Sequence, residues 1–200
     1  LETSFRDRGS MQPVAEITDG SGTIYLVENG KKRHFSGPSA YRSGSPAYSS
    51  LPKMGLSYGI LRTLPEISSI YAEGSLVRIN SSAAVYVINS GNQKISIPNR
   101  DVMSAYGYKF SNVKNVSSSQ IAAYETTSSG LASIVKDSGT YTYMITNSGK
   151  RHKVPENLYA HFGINAASLQ QLSNPLLKRF TAAKDLTRVI KATNNNDVYH

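Results

Sequence analysis

The sequence predicts a mainly β protein with short helices, built as tandem repeats of a β-hairpin, a short helix and a third strand packed on each other. Three observations carry this. Alternating runs closed by a Gly-containing turn occur three times, at Thr23–Phe35, Ala84–Ile97 and Thr142–Val154. Tyr25, Tyr86 and Tyr143 fall in register within them, 61 and 57 residues apart. The similarity also continues past each hairpin into a Pro-opened segment that ends at Gly. Self-similarity at a fixed period marks a chain made of repeated supersecondary units.

The hairpins come first in each unit. Apolar residues alternate with polar ones, and the turns carry Gly30, Gly91 and Gly149 next to Asn or Ser. Such turns between alternating runs are the strongest short-range hairpin signal. A helix follows. Pro98 and Pro155 open it, and Pro suits a helix start because the missing N–H is unpaired there anyway. Eight residues after Pro98 and seven after Pro155, Tyr106-Gly107 and Phe162-Gly163 close it, as a glycine C-cap does. The first unit is expected to carry an insertion over 37–45 and to rejoin at Pro46, closing at Met54-Gly55. Leu61/Leu64, Val113/Val116 and Leu169/Leu172 come next, then Tyr71, Tyr124 and Phe180. Apolar runs at Leu76–Ile79, Leu131–Val135 and Leu186–Ile190 read as third strands. The expected division is a linker over 1–12, units over 13–80, 81–137 and 138–192, and the start of a truncated fourth unit over 193–200. A unit this small buries little surface alone, so neighbouring units should share a core.

Composition narrows the function. The chain has 200 residues, 39% hydrophobic and 18% charged, with 29 serines, 13 tyrosines and no tryptophan. The absence of cysteine excludes a disulfide scaffold, a thiolate metal site and a thiol nucleophile. No run reaches the roughly 18 apolar residues of a membrane span. Leu1–Met11 is polar and reads as linker rather than signal peptide. The net charge of +9, from 22 basic and 13 acidic residues, favours acidic partners. Acidic wall polymer, glycan, nucleic acid and anionic lipid all qualify.

Catalytic motifs are missing. There is no HExxH, GxSxG, Walker A, EF-hand loop or GxGxxG. His34 and His152 sit just after the turns of two units, where the middle copy has Ile95; a position that accepts Ile is more simply a strand position. The carboxylates are scattered, and Asp101 and Glu156 suit the first turns of helices. The chain is therefore expected to be non-enzymatic, with no cofactor and no metal site.

Basic clustering is the better signal. Lys31, Lys32, Arg33 and His34 mark one hairpin, Lys150, Arg151, His152 and Lys153 another, and Lys94 the middle one. Beside Tyr25, Tyr86 and Tyr143 these bases could form a discontinuous cationic, aromatic face for an acidic glycan or a nucleic acid backbone. Equally, they could be solvated edge strands protected against edge-to-edge pairing. The tyrosines alternate with Leu26, Val87 and Met144, so one set faces the core and the other faces out.

The copy Val85–Gly91, with Tyr106-Gly107, Val113–Ser117 and Ile121–Tyr124, resembles tandem repeats of secreted and wall-associated bacterial proteins, often found beside wall hydrolase domains. The resemblance covers nearly the whole chain after Pro13. It implies an extracellular or cell-surface accessory module, part of a longer chain, that targets the wall or spaces other domains. Multivalent weak binding to acidic cell-wall polymer or polysaccharide is the leading expectation. A nucleic-acid-binding protein and an envelope enzyme with an unrecognised site are the alternatives.

Overall fold

Asn-Gly between two alternating runs makes the first hairpin. In a computed structural model, which describes residues 14–18, 22–43, 48–146, 149–187, 190–191 and 198–199, Asn29 and Gly30 both take positive φ, 50° and 70°. That geometry matches the right-handed twist of the flanking strands. Strand β1 (Val14–Thr18) pairs antiparallel with β2 (Ile24–Glu28), with an irregularity between Ala15 and Ile17, and β2 pairs with β3 (Lys31–His34). Helix α1 (Pro38–Arg42) follows directly, with Pro in its first turn, and α2 (Tyr58–Thr63) is capped by the Ser57 side chain. The chain then returns alongside β3 through parallel bridges at Glu66 and Ile70.

The next two sheets repeat one plan. The first holds β4 (Leu76–Ile79), β5 (Val85–Asn89), β6 (Gln93–Ser96), β7 (Lys114–Val116) and β8 (Glu125–Thr126), in the order β7-β4-β5-β6-β8. Helix α3 (Arg100–Ala105) lies between β6 and β7. The second holds β9 (Ile134–Lys136), β10 (Thr142–Thr146), β11 (Lys150–Val154), β12 (Gln170–Gln171) and β13 (Thr181–Ala183), in the matching order β12-β9-β10-β11-β13. Helix α4 (Asn174–Leu177) precedes β13. In both sheets the outer strands add in parallel to an antiparallel three-stranded centre. Strands β14 (Ile190–Lys191) and β15 (Val198–Tyr199) pair antiparallel. The fold is mainly β with short helices, as the sequence predicts.

Three details differ from the sequence reading. The strands assigned to the ends of units 1 and 2 hydrogen-bond forward: β4 pairs with β5 and β9 with β10, so each begins the sheet of the following hairpin. The boundaries near 80 and 137 therefore move back to about Ser75 and Ser133, because ladder partners rather than sequence order decide sheet membership. Second, the supposed insertion at 37–45 contains the helix of unit 1, and Gly55 is not among the glycines with positive φ. Third, Leu64, not Tyr71, matches Tyr124 and Phe180. Ser57, Leu61 and Leu64 stand at the offsets of Ser117, Ile121 and Tyr124, and of Ser173, Leu177 and Phe180, ahead of the parallel partners Glu66, Thr126 and Ala182. The segments 1–12, 192–197 and 200 lie outside the described residues.

The helix ends behave as expected. Gly107 and Gly163 have φ of 68° and 63°. Tyr108 N–H donates to the Met103 carbonyl and Gly107 N–H to Ser104; Ile164 and Gly163 do the same toward Tyr159 and Ala160. This double bond pattern is the Schellman closure, which satisfies carbonyls left open by the last turn. The starts differ. Asn99 rather than Pro98 caps α3, its side chain accepting from Val102 N–H at 2.9 Å, and the segment after Pro155 is a 3₁₀ turn at Glu156–Leu158. Asn is a strong cap because its side-chain oxygen takes one of the unpaired N–H groups.

The chain divides into two compact units, Leu1–Ala72 with Ser119–Ala123, and Glu73–Ser118 with Tyr124–His200. In the first, Leu26, Phe35, Ala40, Ile70 and Ala72 form the core. In the second, one core draws on both repeats: Leu76, Val87, Ile95, Met103 and Tyr106 pack with Val135, Ile145, Leu172, Leu176, Leu177 and Phe180. Val116 and Tyr124 are buried too, whereas Val113 and Leu169 are half-buried. The Tyr106 hydroxyl donates to the Ala132 carbonyl. The neighbouring Tyr108 hydroxyl is buried without a partner among the described residues. Burial pushes both phenols well above the ordinary tyrosine range. An unpaired buried hydroxyl costs stability, so Tyr108→Phe should hold stability or raise it by up to about 1 kcal/mol. A clear loss in urea titration would show that the hydroxyl is satisfied after all.

Candidate functional site

The period of two along each hairpin sets two faces. Leu26 and Val87 face the core and are buried, and Tyr25 and Tyr86 stand on the opposite face, half-buried. The split is not the same in every repeat: Met144 is only half-buried, and Tyr143 packs against the core of the second unit, on the face of the buried Val135 and Ile145.

Each tyrosine is covered by a cation from the paired strand. Cross-strand register places Tyr25 opposite His34, Tyr86 opposite Ser96 and Tyr143 opposite Lys153. The residue two places earlier on the second strand is Lys32, Lys94 or Arg151, within diagonal reach. Lys32 Nζ lies 5.5 Å from the Tyr25 ring centroid, Lys94 Nζ 5.9 Å from Tyr86, and the Arg151 guanidinium carbon 5.6 Å from Tyr143. Each cation also donates to a backbone carbonyl: Lys32 to Leu61 at 3.0 Å, Lys94 to Tyr124, and Arg151 to Leu177 at 3.1 Å. Leu61 and Leu177 lie at the C-terminal ends of α2 and α4, where carbonyls gather partial negative charge. Burial holds the Lys94 ammonium below the usual lysine range.

The recurrence of these three bases is thus explained by internal structure. Arg33 is buried, 5% exposed, and its Nε donates to the Ser68 carbonyl at 3.3 Å. Both ring nitrogens of His152 have partners, the Lys184 carbonyl at 2.8 Å and Thr146 Oγ1 at 3.1 Å. Lys31 and Lys150 are exposed at the strand edges beside the turns. Removing the Arg151 cation from its ring and carbonyl should destabilise the chain. Arg151→Gln is expected to cost about 1–2 kcal/mol, read as a lower urea midpoint with an unchanged slope. An unaltered midpoint would return Arg151 to a free surface role.

The register also corrects the histidine match. The first turn spans two residues between Glu28 and Lys31, while the second spans three between Asn89 and Gln93, and Thr146 pairs with Lys150 across 147–149. His34 therefore matches Lys153, not His152. His152 matches Arg33 and Ile95.

His34 and Lys153 line two grooves that the sequence reading missed. In the first unit a groove of about 420 Å³ runs along Thr23, His34, Phe35, Tyr41 and Arg42. In the second unit one of about 670 Å³ is lined by Tyr141, Lys153, Glu156, Tyr159 and Asp185. Both lie where the hairpin opens into the following helical segment. Lys153 Nζ sits 3.6 Å from the Tyr141 ring centroid, and Tyr141 is 47% exposed. The Tyr159 hydroxyl donates to Thr142 Oγ1 at 2.6 Å. In the first groove the Tyr25 and His34 rings meet at 5.8 Å. The middle repeat has Ser96 at the matching position and carries no cation there. Among the described residues no group of three His, Cys, Asp or Glu side chains could hold a metal ion, and no helix is long and apolar enough to cross a membrane.

No protein-family model matches the sequence, and no curated protein matches it. Two solved structures show a weak likeness. One is the periplasmic assembly from the ESX-5 inner membrane complex, at 10% identity and a TM-score of 0.25, covering 94% of this chain and 62% of that chain. The other is an intact ESX-5 inner membrane complex, at 8% identity and a TM-score of 0.22, covering 98% of this chain and 61% of that one. The chain thus spans less than two thirds of the length of either neighbour.

Proposed function

We propose that this chain is a non-catalytic repeat module of the bacterial cell envelope that holds acidic wall polymer or glycan by several weak contacts. The observation that carries the reading is the recurrence of one groove at one register position in two repeats, with His34 and Lys153 at matching places, beside half-buried Tyr41 in the first and exposed Tyr141 in the second. Clefts of this volume with a few polar groups and an aromatic wall suit small segments of a larger ligand. Two such sites on one chain raise avidity without a strong single site. The net charge of +9 concentrates an acidic polymer near both. Envelope location and glycan binding rest on the sequence resemblance together with this geometry.

The test is retention on purified cell-wall material, compared with DNA at matched salt. Binding should weaken steeply with salt, because the screening length falls from about 8 Å at physiological ionic strength to about 3 Å at 1 M. Lys153→Gln should lower retention about tenfold or less, with partial binding left at the first groove, and His34→Gln with Lys153→Gln should remove it. Retention that ignores salt and both substitutions rejects the mechanism. Tighter binding to DNA than to walls would instead favour a nucleic-acid-binding role.

A further inference from the structure

The two grooves share a place in their repeats but not a charge. Tyr25 and Tyr143 fall in register, so Thr23 matches Tyr141, and His34 matches Lys153. The first groove is lined by the bases His34 and Arg42 and, among the described residues, by no carboxylate. The second is lined by Lys153 together with Glu156 and Asp185. Glu156 opens the 3₁₀ turn after Pro155, and Asp185 lies just beyond β13, so two separate stretches of chain bring acids to one cleft.

Opposite charges in one cleft usually pair with each other, and these do not. Among the described residues no hydrogen bond or ion pair engages either carboxylate or the Lys153 ammonium, which rests on the Tyr141 ring. Glu156 and Asp185 are exposed, and Lys153 is half-buried. Asp137 shows how a structural acid of this sheet is used: its Oδ1 accepts from Gly139 N–H at 2.9 Å and from Tyr141 N–H at 3.0 Å and so holds the turn. Neither groove carboxylate has such a task, and a single 3₁₀ turn offers Glu156 little dipole.

Counted by sign, the second cleft presents one base and two acids, which on balance repels a plain anion. A segment that carries an ammonium beside its anionic group satisfies all three side chains. Its ammonium donates to the carboxylates and its anionic group accepts from Lys153, each bond being charge-assisted.

We propose that the groove of the second unit recognises a zwitterionic segment, a primary ammonium next to a phosphate or carboxylate, as borne by an acidic wall polymer with amine substituents. This rests on the reading that the grooves hold wall polymer, and it specifies which polymer. It also separates the two grooves, since the first, with His34 and Arg42, takes an anionic group alone.

Retention of the full chain on cell-wall material, before and after N-acetylation of the wall amines, tests it. Acetylation removes the ammonium and leaves the polymer more acidic. A chain of net charge +9 that read acidity alone would hold the acetylated wall more tightly. Ammonium recognition gives the reverse, about three- to tenfold weaker retention. A variant carrying Glu156→Gln and Asp185→Asn is more basic than the wild type, yet should bind untreated wall about three- to tenfold less. It should also hold the acetylated wall no less than the untreated one. Both acids are exposed, so the substitutions leave the fold intact, which circular dichroism checks. Phosphoethanolamine and glycerol phosphate, followed by NMR at Tyr141 and Lys153, separate a free zwitterion from a polymer-borne one. The wild type should prefer phosphoethanolamine, and the variant should lose that preference. Unchanged or tighter retention of acetylated wall, a variant that binds untreated wall as well as the wild type, or equal binding of the two small probes each overturns ammonium recognition while leaving the acidic-polymer reading in place. That reading falls separately, when retention ignores both salt and Lys153→Gln.

Discussion

Phe180→Ala is expected to lower the melting temperature by roughly 10–20 °C. Phe180 is 4% exposed and comes from the third repeat. Its ring meets Tyr106 of the second repeat edge-on, with centroids 5.2 Å apart at 79°, and lies 6.2 Å from Tyr108. Truncating a buried Phe typically costs about 3–5 kcal/mol through lost transfer energy and the cavity left behind. A domain is held by only about 5–15 kcal/mol, and each kcal/mol moves the midpoint of a domain this size by about 2–4 °C or somewhat more. Phe180→Leu, which keeps most of the apolar surface, should lose much less. Pairing Phe180→Leu with Tyr106→Leu should reveal a coupling of about 0.5–1.5 kcal/mol, the part due to ring geometry. A melting curve unchanged by Phe180→Ala would separate the two repeats, and the shared core would have to be abandoned.

The hairpins and glycine closures were legible because their signals are local. Asn29-Gly30 and Tyr106-Gly107 each state a backbone conformation within two residues. Sheet membership was not legible, because the partner of Leu76–Ile79 is chosen by a ladder that no local pattern encodes. Pro38 and Pro46 both make acceptable helix starts, and it is the packing of Ala40 and Tyr41 with Phe35 that seats the helix of the first unit at the former. The recurring bases were visible in sequence but not their task. Lys32 and Arg151 are held by carbonyls 29 and 26 residues away, distances over which a sequence carries no geometry. One clue to the grooves was present and could have been used. A two-residue Asn-Gly turn against three-residue turns shifts the second strand by one place, which aligns His34 with Lys153.

Ser173→Ala should cost about 2–4 kcal/mol, well above an ordinary cap substitution. The Ser173 Oγ does two things at once: it accepts from Leu176 N–H at 3.3 Å and donates to the Glu73 carboxylate. All of Ser173, Glu73 and Asn89 are buried, and Asn89 Nδ2 ties the group to the Gln171 carbonyl at 3.3 Å. Losing the cap alone costs about 0.5–2 kcal/mol. Losing a hydrogen bond to a buried charged group adds about 1.5–3 kcal/mol, because the carboxylate stays in place without its donor. Ser57→Ala supplies the comparison within the same chain. Ser57 caps α2 in the same manner, accepting from Ile60 N–H at 3.4 Å in an exposed position. Its loss should cost no more than about 1 kcal/mol. Adding Glu73→Gln to Ser173→Ala should recover part of the difference, since a neutral amide is cheaper to leave underbonded than a carboxylate. Equal costs for Ser57→Ala and Ser173→Ala would mean that the Glu73 contact contributes nothing, and that the joint between the second and third repeats rests on apolar packing alone.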